Sequence, residues 1–114
     1  MVKANLPVGA NPGAASERVI YDDGAQPGYS SVVRHARRCT VVSYLDQSYS
    51  LIVRWQSPGG VLRTYETIAL AASTVERTDV LLLPGRTQIV IATGTAPTVW
   101  EVAAELDDQR DAGV

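Results

Sequence analysis

Between residues 43 and 106, short apolar runs alternate with clusters of glycine, proline and small polar residues. Residues 50–55 show the firmest strand pattern: Leu51, Val53 and Trp55 share one face, and Ser50, Ile52 and Arg54 share the other. That is the period of two expected of a β-strand with one buried side. Ser57-Pro58-Gly59-Gly60 then reverses the chain, because proline fixes one φ and the glycines accept positive ones. Residues 62–70 return, so 49–70 reads as a hairpin. A small, polar connection at 71–74 leads to a strand over 75–83 that ends at Pro84-Gly85. Residues 87–92 form the next strand, and Gly94-Thr95-Ala96-Pro97 turns again. The last strand, 98–106, alternates cleanly, with Trp100, Val102, Ala104 and Leu106 inward and Val99, Glu101, Ala103 and Glu105 outward. Helix competes over 102–109 on propensity. Thr98, Val99 and Trp100 at its start decide for strand.

Before residue 43 the pattern is weaker. Residues 1–16 carry Pro7, Gly9, Pro12 and Gly13 with neither apolar period and read as an extended arm that could lie across a neighbouring subunit. Residues 18–21 form a short strand, followed by turn chemistry at Asp22-Asp23-Gly24 and at Gln26-Pro27-Gly28. Val32 and Val33 suit a strand or a short connector over 30–35. In 37–45, Cys39, Val41, Ser43 and Leu45 face one way and Thr40, Val42 and Tyr44 the other. Both faces are mostly apolar, as in the middle of a sheet. Turn signals recur about every ten residues, the spacing of an all-β sandwich or barrel. The expected fold is therefore all-β, a single jelly-roll-like antiparallel β-sandwich over 17–107, with an extended N-terminal arm at 1–16 and a polar tail at 108–114.

Composition narrows the function classes. The 114 residues are 46% hydrophobic and 19% charged, a globular balance. The formal net charge of -2 supplies no overall attraction to phosphate backbones or anionic membranes, so neither nucleic acid nor membrane is an expected partner. No apolar run approaches the roughly 20 residues of a membrane helix. The first residues lack a basic region followed by an apolar segment, so no secretory signal is expected. Cys39 is the single cysteine and lies among β-formers, which makes a buried, inert thiol the plain reading; a thiol activated by Arg37 and Arg38 is the sharper one.

No residue set has the spacing of a catalytic or metal centre. His35 is the one histidine and is flanked by Arg34, Arg37 and Arg38, whose charge opposes a bound cation. These four residues form the chain's basic cluster and are the candidate subunit contact, with Asp22, Asp23 or Asp107 as acidic partners. Solvated surface charge is the alternative. Nucleophilic catalysis needs a base beside a serine, threonine or cysteine, and a single histidine inside a basic run serves poorly. Asp22-Asp23 reads as a turn, and Pro58-Gly59-Gly60 lacks the Gly-Lys-Ser/Thr ending of a phosphate loop. Trp55 and Trp100 fall on the apolar faces of their strands and are expected in the core, although exposed tryptophan could stack on a sugar. The chain is expected to be no enzyme, and to need no cofactor or metal.

Asp46-Gln47, Gln56-Ser57, Pro58-Gly59-Gly60, Ala71-Ala72-Ser73-Thr74 and Thr93-Gly94-Thr95-Ala96-Pro97-Thr98 stand in a familiar order. From about Tyr44 to Leu106 the chain resembles a β-sandwich module of tailed-bacteriophage structural proteins and gene-transfer-agent head spikes. It departs from the pattern in having Tyr49 where glycine is usual and Thr93 in place of asparagine. The resemblance implies a virion protein assembled in the host cytoplasm, a head decoration or head spike (minor capsid) protein, that binds capsid or other virion proteins as a homo-oligomer. The rival it allows is a carbohydrate- or receptor-binding module of a tail or spike, with a host-surface glycan as partner, or a tail or neck component.

Overall fold

A computed structural model describes residues 2–5, 11–13, 16–22, 36–83 and 86–108, with side chains from 11–13, 16–22, 38–83 and 86–106. Among the described residues eight strands follow in order: β1 (Val2–Asn5), β2 (Glu17–Asp22), β3 (Ala36–Leu45), β4 (Tyr49–Gln56), β5 (Leu62–Leu70), β6 (Glu76–Leu81), β7 (Thr87–Thr93) and β8 (Trp100–Asp108). They form two four-stranded sheets, β1-β8-β3-β6 and β2-β7-β4-β5. All pairings are antiparallel, and β1 meets β8, β2 meets β7, β3 meets β6 and β4 meets β5. Such nesting of the first four strands on the last four is the connectivity of a jelly roll. The expected all-β sandwich is the observed architecture.

Each strand follows its alternation. In β4, Tyr49, Leu51 and Val53 are buried while Ser50, Ile52 and Arg54 are half-buried. In β3, Cys39, Val41, Ser43 and Leu45 face the other sheet, and β3 is flanked on both sides, by β8 and β6. β8 is strand to Asp108, so the competing helix does not form. The 57–60 turn closes with Gly60 N donating to Ser57 O at 2.8 Å, and Gly60 takes φ 86°.

The core joins Ile20, Tyr21, Cys39, Val41, Leu45, Tyr49, Leu51, Val53, Leu70, Val80, Ile89, Ile91, Ala104 and Leu106. Cys39 is buried in the core and is in no disulfide. Two expectations need correction. Residues 2–5, expected as part of an extended arm, form an edge strand registered from Val2↔Asp108 to Asn5↔Glu105. The edge of β8 presents backbone donors and acceptors that need partners, and hydrogen bonding there requires no apolar period. The second concerns the tryptophans. Trp55 is half-buried and outside the core cluster, near the end of β4 opposite Arg63 and Thr87. Trp100 is partly buried and does pack against the core cluster. Tyr21 and Tyr49 are the core aromatics instead.

Candidate functional site

Of the expected basic contact, Arg34 and His35 lie outside the described residues, and Arg37 is described only as backbone of β3. Arg38 is half-buried and stands opposite Asp107 on β8 and Leu81 on β6. Asp22, one of the acidic partners suggested for that cluster, is committed elsewhere. It ends β2, is 5% exposed, and accepts from Arg86 Nε at 2.8 Å, Arg86 Nη2 at 2.6 Å and Gln88 Nε2 at 3.0 Å. Gln88 Oε1 in turn accepts from Arg54 at 3.3 Å, and Arg54 reaches Glu17 at 2.8 Å. This line of five side chains crosses the outer face of the β2-β7-β4-β5 sheet. Beneath it Val90 is fully buried although it faces outward. The Arg54 guanidinium holds the Glu17 carboxyl below its ordinary value of 4.5. The network ties strands together.

The outer face of the other sheet is different. There a groove of about 560 Å³ is lined by Val42, Ser43, Tyr44, Val75, Trp100, Glu101, Val102 and Ala103. Register builds it: Val42 stands opposite Ala103, and Tyr44 opposite Glu101. Valine against alanine leaves a low floor, while Tyr44, Val75 and Glu101 rise around it. Val75 is 68% exposed.

Hydrogen bonds hold both ends of the groove. Asp46 accepts from Thr98 N at 2.9 Å, Val99 N at 3.1 Å and the Thr98 hydroxyl, which sets the chain direction just before Trp100. The Thr98 hydroxyl, then the Val99 N–H, keep the Asp46 carboxyl below its ordinary 3.8. Asn11 Nδ2 donates to Pro97 O at 2.9 Å in the same loop. On the Val75 side, Ser73 N donates to Leu45 O at 2.7 Å, and Ala71 N to Glu76 Oε2 at 3.1 Å. Under the floor, Ser43 Oγ and Tyr49 Oη lie 2.7 Å apart and join the two sheets. Burial first, and Glu76 in addition, push the Tyr49 phenol above 10.0, against the opposing effect of its bond to Ser43. A trough fixed in this way is preformed, which lowers the ordering cost of binding.

Its chemistry is that of contact: the lining holds two aromatic residues, four small or branched aliphatic ones, one serine and one carboxylate. Among the described residues, no group of three or more His, Cys, Asp or Glu side chains could hold a metal ion. Of the lining residues, only Trp100 was singled out by sequence reasoning. Tyr44 and Glu101 had been placed on the outward faces of their strands, but nothing in the local pattern shows that β3 and β8 are neighbours.

No protein-family model matches the chain, and no curated protein matches it in sequence. Among solved structures, the crystal structure of PBSX exported protein XepA is similar, with a TM-score of 0.64 and 16% identity. The likeness covers 94% of this chain and 37% of that one, so the chain spans little more than a third of XepA. At this identity the shared property is the fold.

Proposed function

We propose that this chain is a non-enzymatic structural protein of a bacteriophage virion, a head decoration or head spike protein that binds the capsid surface. The observation that carries the reading is the two-sheet jelly-roll topology, the architecture that the resemblance to tailed-phage structural modules implies, with a fold similar over 94% of the chain to PBSX exported protein XepA. Polar side chains support it: among the described residues, Asp22 with Arg86 and Gln88, Ser43 with Tyr49, and Asp46 with Thr98 tie strand to strand and loop to strand. Such a domain works by presenting rigid surfaces to capsid or other virion proteins, and it stabilises the shell by binding only the assembled lattice. Repetition around a symmetric particle multiplies a modest interface. Fold alone does not choose among virion positions, so the test reads position. Purified chain is added to particles that lack it, and sedimentation and imaging follow. Saturable binding with density on the head is expected; a chain that fails to co-sediment, or that labels the tail or neck, overturns the head assignment.

The groove favours a second reading, a carbohydrate- or receptor-binding module. Tyr44 beside the Glu101 carboxylate suits a sugar, which stacks its C–H face and donates its hydroxyls. Titration of tryptophan fluorescence with a saccharide panel separates the readings. Saturable quenching that Tyr44→Ala abolishes supports the module, and a flat response across the panel removes it.

A further inference from the structure

The edge strand β6 has a side-chain order that complements itself. Residues 75, 77, 79 and 81 share the outer face, in the order Val75, Arg77, Asp79, Leu81. Val75 and Leu81 are each 68% exposed, among the most exposed large apolar residues described. Arg77 and Asp79 lie between them, 3.0 Å apart, with side-chain exposures of 64% and 35%. We infer that β6 pairs antiparallel with β6 of a second copy, across a two-fold axis at Thr78, to join two sheets into one.

An antiparallel pair related by a two-fold axis sets residues i and j opposite when their numbers sum to twice the residue on the axis. With Thr78 on the axis, Arg77 meets Asp79 of the second copy, and Asp79 meets Arg77. Val75 meets Leu81 of the second copy, and the reverse. Every outer-face position thus finds its complement: two ion pairs at the centre and two apolar pairs at the ends. Opposite charges and aliphatic pairs directly across a ladder are the stabilising combinations. A shift of two residues in either direction sets Arg77 or Asp79 against its own copy and breaks the match, so register is specified as well as partner. The contact is isologous, as a closed dimer requires.

Two other described edges, β5 and β2, suit this less well, and β1 is only four residues long. β5 is longer, but its pairing with β4 shifts between Val53 and Arg54, and β2 shifts between Val19 and Tyr21 against β7. Such bulges twist an edge away from regular pairing. β6 runs against β3 from Arg38↔Leu81 to Ser43↔Glu76 without a shift. Val75 also walls the groove, so Leu81 of the second copy would extend that wall. The pairing concerns the free chain and holds whichever particle surface receives it.

Sedimentation velocity over a concentration series tests the inference. The chain is expected to form a reversible dimer of twice 12.2 kDa. Arg77→Asp and Asp79→Arg each place like charges opposite at both symmetric positions, and each is expected to weaken dimerisation roughly 10- to 30-fold. Mixed one to one, the two variants regain complementarity and form a heterodimer; the double variant R77D/D79R dimerises alone. Circular dichroism checks that each variant folds. Leu81→Asp, at an exposed end of the seam, gives the same loss independently if a charge reversal disturbs the fold. A wild-type chain that stays monomeric at every concentration overturns the inference. So do folded single reversals that leave the dimer intact, or a mixture that fails to restore it.

Discussion

Replacing Asp22 with asparagine tests the outer-face network of the β2-β7-β4-β5 sheet. The shape is kept, but one acceptor oxygen becomes a donor facing Arg86 or Gln88, which themselves donate at 2.6–3.0 Å. Breaking one partner of a fully buried pair costs about 3–5 kcal/mol. Here the Asp22 side chain is 7% exposed but Arg86 is 32% exposed, so the guanidinium recovers part of its hydration. A charge-assisted hydrogen bond is worth about 1.5–3 kcal/mol. Together these place the loss at about 2–3 kcal/mol, or roughly 8–12 °C in Tm for a domain of this size. Urea unfolding followed by far-UV circular dichroism measures it. A cycle with Arg86→Met isolates the pair, with an expected coupling of about 1–3 kcal/mol. A loss below about 0.5 kcal/mol, or a coupling energy near zero, would refute the claim that this pair clamps β2 to the start of β7.

Two groups predict opposite limbs of a pH–stability curve. Asp46 titrates lower when folded, so its contribution is full above its ordinary 3.8 and is lost as pH falls through the depressed folded value. The stability gap between wild type and Asp46→Asn should therefore narrow in acid, as read from urea midpoints across pH. Tyr49 titrates higher when folded, so its contribution is full below 10.0 and is lost as pH rises toward the raised folded value. Tyr49→Phe should flatten that alkaline decline, and at neutral pH it should cost about 1–2 kcal/mol for the stranded Ser43 hydroxyl. Gly60→Ala should cost about 1–2 kcal/mol in the same assay, because the position holds φ 86° while an added Cβ meets nothing within 4 Å. Gly60→Asn should recover part of that loss.

Much of the fold was legible in the sequence, and little of the groove. Strand β4 announced itself because burial on one side of a strand writes a period of two into its own residues. The turn at 57–60 was equally local, since proline and glycine constrain the backbone where they stand. For that reason the all-β class and the approximate bounds of β2 to β8 followed from the chain itself. Strand β1 did not, because Val2–Asn5 is held by ladder bonds to β8, whose residues lie about a hundred positions away. Asp22 carried the signature of a turn and became a buried anchor only because Arg86 and Gln88 arrive beside it on β7's side of the sheet.

What the sequence by itself determined was which residues of each strand face together and where the chain reverses. Only the tertiary structure decided which strands are neighbours, and with that which faces meet. Trp55 and Tyr49 lie on the same face of β4, yet Tyr49 falls within the packed core and Trp55, near the strand's end, is only half-buried. The groove exists because Val42 meets Ala103 and Tyr44 meets Glu101, pairs separated by more than fifty residues. Periodicity is a property of one strand, whereas register and coverage belong to pairs of strands, and the energy that selects them enters only when distant segments close on one another.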